Sequence, residues 1–193
     1  MNTVAPNLLL VLSAPSGTGK TTLARMLRNS YPDVHLSISV TTRAPRGTEQ
    51  EGKDYHFVDV QTFDEMIERD EFLEWAQVHG CHYGSLRSTA KGIAVFDIDV
   101  QGGNTIKAKH PEAVLVFILP PSMQELEHRL NARGTDAQEI IHNRLIAARN
   151  EIEKGRATYD YLITNDSLEN AFHKLQSIVI AECTRRGRVT INL

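Results

Sequence analysis

The stretch SAPSGTGKTT, Ser13 to Thr22, constrains the fold more than any other part of the chain. It follows the apolar run LLLVL (Leu8 to Leu12) and leads into KTTLARMLRNS, where Leu23, Met26 and Leu27 recur at helical spacing. A buried strand, a glycine-rich turn and an amphipathic helix, in that order, make a loop that holds phosphate. Ala14, Pro15, Ser16, Gly17, Thr18, Gly19, Lys20 and Thr21 fit G-x-x-x-x-G-K-[ST], except that Ala takes the first place. Alanine is tolerated there if its φ is negative. Gly17 and Gly19 let backbone N–H groups turn inward around phosphate oxygens. Lys20 reaches the β- and γ-phosphates, the Thr21 hydroxyl ligates Mg²⁺, and the helix that starts here, with Thr22 in its first turn, adds its positive end. An unliganded glycine-rich turn is the bland alternative, but the strand before and the helix after are what phosphate binding demands.

The remaining chain alternates short apolar runs with longer amphipathic ones. IAVFDID (Ile93 to Asp99), AVLVFIL (Ala113 to Leu119), DYLIT (Asp160 to Thr164) and the terminal RVTINL read as strands. Near-continuous apolar strands separated by helices predict an α/β fold, a parallel sheet covered by helices on both faces. Pro120 and Pro121 stop the third strand, and Ser122 with Glu125 forms a capping-box pattern for the next helix. Two charged segments break the rhythm, Ser37 to Lys91 and Arg129 to Gly155. We read both as lobes at the carboxyl edge of the sheet, where open α/β folds bind ligands. The division is a single domain over 1–193, with core segments 1–36, 92–128 and 156–193, an acceptor lobe over 37–91 and a lid over 129–155.

Composition excludes several classes. The net charge of −3 over 193 residues argues against a polyanion-binding surface, so nucleic acid is not an expected partner, and RRGR at 185–188 reads as a solvated helix end. No apolar run approaches membrane-spanning length. No positive charge precedes LLLVL, so a secretion signal is not expected, and two cysteines, Cys81 and Cys183, suit a reducing cytoplasm. HGCH, His79 to His82, offers three ligand types in four residues but no second cluster to complete a metal site.

A phosphate loop also draws a carboxylate from a neighbouring strand to the metal or its waters. Asp97 and Asp99 alternate along one run and so face opposite ways unless the strand bends. At most one then serves the metal, which leaves the other for a second ligand. On the 37–91 segment, Arg43, Arg46, Tyr55 and Tyr83 are residue types that bind a phosphate. Glu74 lies among Phe72, Leu73 and Trp75, and a carboxylate so placed accepts two N–H bonds from a base edge such as guanine's. Taken singly, each of these is also an ordinary surface residue.

Taken together, SAPSGTGKTTL, SVTTRAPRGTEQEGKDYHFV, EFLEWAQVHGCHYGS, DIDVQGG, RGTDAQEIIHNRL and ITNDSL resemble the guanylate kinases along nearly the whole chain. The resemblance implies transfer of the γ-phosphate of ATP to GMP, with Mg²⁺ as cofactor. It sets Ser39, Glu74 and Ser85 at the guanine and Arg43, Arg46, Tyr55 and Tyr83 at the GMP phosphate. Asp99 falls near GMP and the metal waters; Thr21 and Asp97 are assigned to the metal, with the choice between Asp97 and Asp99 for it left open. Arg133 and Arg144 reach the ATP phosphates from the lid, and Asn165 lies beside the adenine. The sequence departs from the pattern once. Only LRSTAKG separates Ser85 from Ile93, short of the usual spacing by roughly one and a half turns of helix.

Positioning and charge neutralisation carry phosphoryl transfer, and Lys20, Arg43, Arg133 and Arg144 supply the charge. A guanylate-kinase-like scaffold module would carry a degraded loop, another small-molecule kinase would lack the Glu74 and Tyr-Gly-Ser set, and a switch GTPase needs only one nucleotide site. Lys20→Ala is expected to abolish phosphoryl transfer in a coupled ADP-release assay while the circular dichroism spectrum stays unchanged. Near-normal kcat would remove the phosphate-loop assignment.

Overall fold

A computed structural model describes residues 8–78, 80–87, 92–132, 138–186 and 188. Among them, five parallel strands make the main sheet: β1 (Leu8–Ser13), β2 (Val34–Ser37), β7 (Ile93–Asp97), β8 (Val114–Leu119) and β9 (Tyr161–Thr164). Their spatial order is β2-β7-β1-β8-β9, so β1 is central and its loop emerges in the middle of the carboxyl edge. Alternation decides which helices cover which face. Leu8, Leu10 and Leu12 of β1, Val95 of β7, and Val116 and Ile118 of β8 face one way. There they meet Leu23 and Leu27 of α1 (Lys20–Ser30) and Leu175 and Val179 of α6 (Leu168–Cys183). Val11, Phe96, Leu115 and Phe117 face the other way and pack on Val100 and Ile106 of α3 (Val100–Lys109) and on Ile152 of α5 (Gln138–Thr158). Both faces are dry, as a parallel sheet requires.

The strand expectations hold with trimmed ends. IAVFDID pairs only as far as Asp97, because Asp99 caps α3, its carboxylate accepting from Gly102 N at 2.8 Å. Half of the capping box forms: Glu125 N donates to Ser122 Oγ at 3.0 Å ahead of α4 (Met123–Ala132), while the Glu125 carboxylate accepts from Arg129 Nε at 2.8 Å. The terminal strand expected over RVTINL lies outside the described residues apart from Arg188, which sits in a turn. Of the segment 129–155, the described parts are the end of α4 and most of α5. That helix runs unbroken past 155, and its second half packs on the sheet, with Ala148 and Gly155 buried. No helix among the described residues is long and apolar enough to cross a membrane.

The lobe has its own sheet, ordered β4-β3-β6-β5, from β3 (Val40–Thr41), β4 (His56–Phe57), β5 (Phe72–Val78) and β6 (Cys81–Leu86). Helix α2 (Val60–Glu68), which the sequence reading passed over, covers it. Asp59 caps this helix through Thr62 N at 2.7 Å, and Phe63 and Met66 go into a small core with Val40 and Phe72. Two features of β5 and β6 set the lobe's inner surface. A register shift between Phe72 and Glu74 lets three consecutive residues, Phe72, Leu73 and Glu74, all be buried. Phe72 enters the lobe core, Leu73 enters the main core, and Glu74 faces the cleft. A bulge re-aims side chains in this way. Opposite it, Gly84 lets the Phe72 ring lie against the backbone, since a Cβ there would come within 2.6 Å of that ring.

After β6 the chain is tied back by Arg87, whose guanidinium holds the Asp70 carboxylate at 2.8 and 2.9 Å. Residues 88–91, the heart of the shortened LRSTAKG segment, lie outside the described residues. Gly84→Ala is expected to cost about 1–3 kcal/mol through overpacking against Phe72. Thermal unfolding monitored by Trp75 fluorescence checks this, and an unchanged melting temperature would contradict the close-packing account.

Candidate active site

A cleft of about 620 Å³ opens at the carboxyl edge of the sheet, between the loop after β1, the end of β7 and the inner face of the lobe. Its floor is the stretch Ala14 to Thr22. Gly17 and Gly19 adopt φ of 93° and 91°, the left-handed region that lets consecutive N–H groups converge. Ala14 is not among the described residues of positive φ, so the one departure from the motif causes no strain. The loop is braced from below. Thr18 Oγ1 donates to Pro15 O at 2.8 Å, and the buried amide of Asn165 donates from Nδ2 to Thr18 O at 2.6 Å. A Cβ on Gly19 would come within 2.7 Å of that amide. The buried Tyr159 hydroxyl donates to Ser13 Oγ at 2.6 Å, and Ser13 Oγ donates to Asp99 O at 3.1 Å, tying α5, β1 and the turn before α3 together.

At the loop's exit, Lys20 Nζ pairs with Asp97 Oδ1 at 2.8 Å and donates to Ile98 O at 2.8 Å. The Thr21 hydroxyl donates to Asp97 Oδ2 at 2.7 Å. The two aspartates therefore separate: Asp97 meets the loop, while Asp99 caps α3 and lines the cleft beside it.

The opposite wall is the lobe. Glu74 is buried, only 5% exposed, and accepts from Ser85 Oγ at 2.7 Å through Oε1. Its Oε2 lies over Gly102, where a Cβ would approach within 3.2 Å. Arg43, Tyr55 and Tyr83 cluster nearby. Arg43 Nε donates to Tyr83 Oη at 3.1 Å, and its guanidinium carbon stands 5.3 Å from the centre of the Tyr55 ring. Ser39 lines the cleft, and its carbonyl accepts from His56 N at 2.9 Å. The residues named from sequence thus fall into three groups. Residues 14–22, Ser39, Tyr55, Glu74, Tyr83, Asp97 and Asp99 line one cavity. Arg43, Ser85 and Asn165 touch that lining from behind. Arg46 is exposed beside the lobe, Arg144 is half-buried on α5, and Arg133 lies outside the described residues. His79 of the HGCH run does too, and no group of three metal-ligating side chains occurs among the described residues.

Three residues of the cleft escaped the sequence reading. Glu49 lines it and binds Arg43 through both oxygens. Glu151 reaches it from α5, and nothing in the spacing of that charged helix distinguishes it from Glu153. Gly102 lies against Glu74 Oε2. Only its place in DIDVQGG marked it.

Charge is concentrated here. Burial pushes the Glu74 carboxyl up, the Ser85 hydrogen bond partly offsets that, and the nearby Asp99 charge adds to the rise. Burial likewise raises Glu151, which Lys20 opposes. On the lobe, the Arg43 hydrogen bonds hold Glu49 below its usual range. A carboxylate kept in an apolar setting is a strained acceptor, and a donor pair from a ligand relieves it.

Two outcomes are expected. Glu74 has a raised value in the folded chain, so the stability it contributes is fully present below the ordinary glutamate value of about 4.3 and is lost as pH rises through the raised value. Ligand-free Glu74→Gln should therefore melt higher than the parent protein at pH 7, with the gap closing towards pH 4. A gap independent of pH would show that Glu74 is not desolvated. Asn165→Ala leaves the buried Thr18 carbonyl without its donor and is expected to cost about 1–3 kcal/mol. It should also weaken ATP binding by calorimetry, because the loop loses its brace.

Comparisons with known proteins point to one family. Residues 7–182 match the family model described as guanylate kinase. A guanylate kinase of Myxococcus xanthus is 59% identical, covering 99% of this chain and 95% of the relative. That alignment spans 198 positions, more than the 193 residues of this chain, so the relative carries residues that this chain lacks. A guanylate kinase of Geobacter sulfurreducens is 46% identical over 94% of this chain and 92% of its own length. Among solved structures, a guanylate kinase from Anaplasma phagocytophilum superposes with a TM-score of 0.76 at 34% identity, covering 95% of this chain and 90% of that one. A phosphate loop and a buried carboxylate facing each other across one cleft, with a family match over nearly all of the chain, mean that the protein belongs to the guanylate kinase family.

Proposed function

We propose that the protein transfers the γ-phosphate of ATP to GMP, giving ADP and GDP. One observation carries the reading: the buried Glu74–Ser85 pair faces the same cavity as the phosphate loop. Glu74 accepts from guanine N1–H and N2–H₂, and Ser85 orients it. A site built to hydrogen-bond one base edge rejects a base lacking it by something like ~10⁴. The acceptor's phosphate then meets Arg43, Tyr55 and Tyr83, with Arg46 at the rim and Ser39 beside the base.

The donor triphosphate lies on residues 14–22. Its charge draws Lys20 away from Asp97, and the backbone N–H groups at Gly17 and Gly19 meet its β-phosphate. An oxygen of the GMP phosphate attacks the γ-phosphorus, the bond to the β,γ-bridging oxygen breaks, and ADP leaves with that oxygen's charge. Lys20, Arg43, Arg133 and Arg144 balance the charge that spreads over the moving group. Asp99 sits between the two phosphates, and Asn165 supports the loop beneath the nucleotide.

The residues fit Mg²⁺. The Thr21 hydroxyl and the Asp97 carboxylate already meet at 2.7 Å, one hard-oxygen pair at the loop's exit. Mg²⁺ held there by Thr21 and Asp97 would supply positive charge to neutralise the phosphates. Closure of the lobe over the cleft excludes water, which would otherwise waste ATP; the second half of α5 packs on the sheet, so the 129–155 segment does not close as one lid. Both cysteines are free, as suits a cytoplasmic enzyme.

The test is an acceptor panel: Mg²⁺-ATP with GMP, AMP, CMP or UMP, read by ADP release. GMP is expected to exceed each of the others in kcat/KM by at least about a hundredfold. A comparable rate with any other nucleotide would end the assignment.

A further inference from the structure

The contacts of Arg43 are unusually complete for a residue whose proposed task is to bind a ligand. A guanidinium has five N–H donors fixed in one plane. Nε donates to Tyr83 Oη at 3.1 Å. Nη1 donates to Ala44 O at 2.6 Å and to Glu49 Oε2 at 3.0 Å. Nη2 donates to Glu49 Oε1 at 3.0 Å. Four donors are thus engaged, and Glu49 covers the end of the fork formed by the two terminal nitrogens. The remaining N–H is on Nη2, on the side shared with Nε. Tyr83 accepts from that same side, so its own phenolic proton is not consumed by the Arg43 contact.

Glu49 does a second thing with the same carboxylate. Its Oε2 accepts from Arg46 N at 2.7 Å, and its own backbone N–H donates to Arg46 O at 3.0 Å. One half-buried side chain, itself lining the cleft, therefore locks the Arg43 side chain and the Arg46 backbone into one turn. A single carboxylate holding an arginine side chain by two bonds and a second arginine's backbone by one is more than a solvated ion pair provides.

We infer that Glu49 is a positioning residue for the acceptor's phosphate: by covering the end of the Arg43 fork, it turns the Nη2–H and the Tyr83 O–H towards the cleft as a two-donor pair. Arg43 is then preorganised before the ligand arrives, and little side-chain entropy is lost on binding. Glutamine at this place offers one acceptor oxygen and an NH₂ that opposes the guanidinium, so the fork is released. The inference rests on the GMP reading above, and its test separates the two.

The experiment compares GMP with guanosine, which has the base and sugar but no phosphate, by calorimetry on the parent protein and on Glu49→Gln. Parent protein that binds GMP no better than AMP overturns the GMP reading, and this inference with it. With that reading intact, Glu49→Gln is expected to weaken GMP by about tenfold or more and to leave guanosine within twofold. GMP affinity that is unchanged overturns the inference, and tighter GMP binding shows instead that Glu49 competes with the phosphate. If Glu49→Gln loses both ligands, Glu49→Asp decides, since it keeps the charge but withdraws the carboxylate by one methylene. Selective loss of GMP in that variant supports positioning, and equal loss of both ligands overturns it.

Discussion

The ion pair between Lys20 and Asp97 joins the exit of the phosphate loop, at the first residue of α1, to the end of β7, the neighbour of the central strand β1. The geometry of the cleft depends on it. Parallel pairing brings the two strand ends to one edge, and the 2.8 Å contact fixes how the phosphate loop sits there. The Thr21 hydroxyl on the other oxygen of Asp97 completes a compact unit of one cation, one carboxylate and one hydroxyl. In the proposed reaction a triphosphate and Mg²⁺ take over these groups with little movement of backbone. The loop is held rigid by contacts from below, through Asn165 and Thr18, so side chains rather than main chain do the adjusting.

Facing this rigid floor, the lobe is stabilised separately. Its core is small, with four buried apolar residues among those described, Val40, Phe63, Met66 and Phe72, and it includes the stacked rings of Phe63 and Phe72 at 4.6 Å. Units with few buried contacts open at lower free energy than the main core. A weakly cored lobe beside a strongly cored sheet suits an enzyme that must admit two nucleotides and then shed water. The polar lining follows the same division. The sheet edge carries Lys20, Asp97 and backbone N–H groups, whereas the lobe carries a desolvated carboxylate and a braced guanidinium, the division that the proposed transfer between two nucleotides needs.

Much of this was legible in the sequence because it is local. The G-x-x-x-x-G-K-[ST] pattern needs only a few adjacent residues in fixed conformations, and the order of strand, turn and helix around it is set by hydrophobic period. The same holds for the buried strands β7 and β8 and for the cap at Ser122. Helix α2 had a signal as well, in the Asp59 cap and the spacing of Phe63 and Met66, but its short length among charged neighbours hid it. The separation of Asp97 from Asp99 was half legible. Alternation set them on opposite faces, but only the bend into α3 shows that one meets Lys20 while the other caps a helix.

By itself, the sequence determined the parallel α/β core, the phosphate loop and the kinds of residue available for an acceptor, since these follow from spacing along one chain. Tertiary structure decided what those residues touch. Glu74 faces the cleft because a register shift between two strands re-aims it, and pairing register is a property of both strands together. Glu49 braces Arg43 because the lobe's loop folds back on itself, and Glu151 enters the cleft because α5 packs across the sheet. Such contacts depend on distances between segments far apart in the chain, and neither periodicity nor motif spacing encodes those distances.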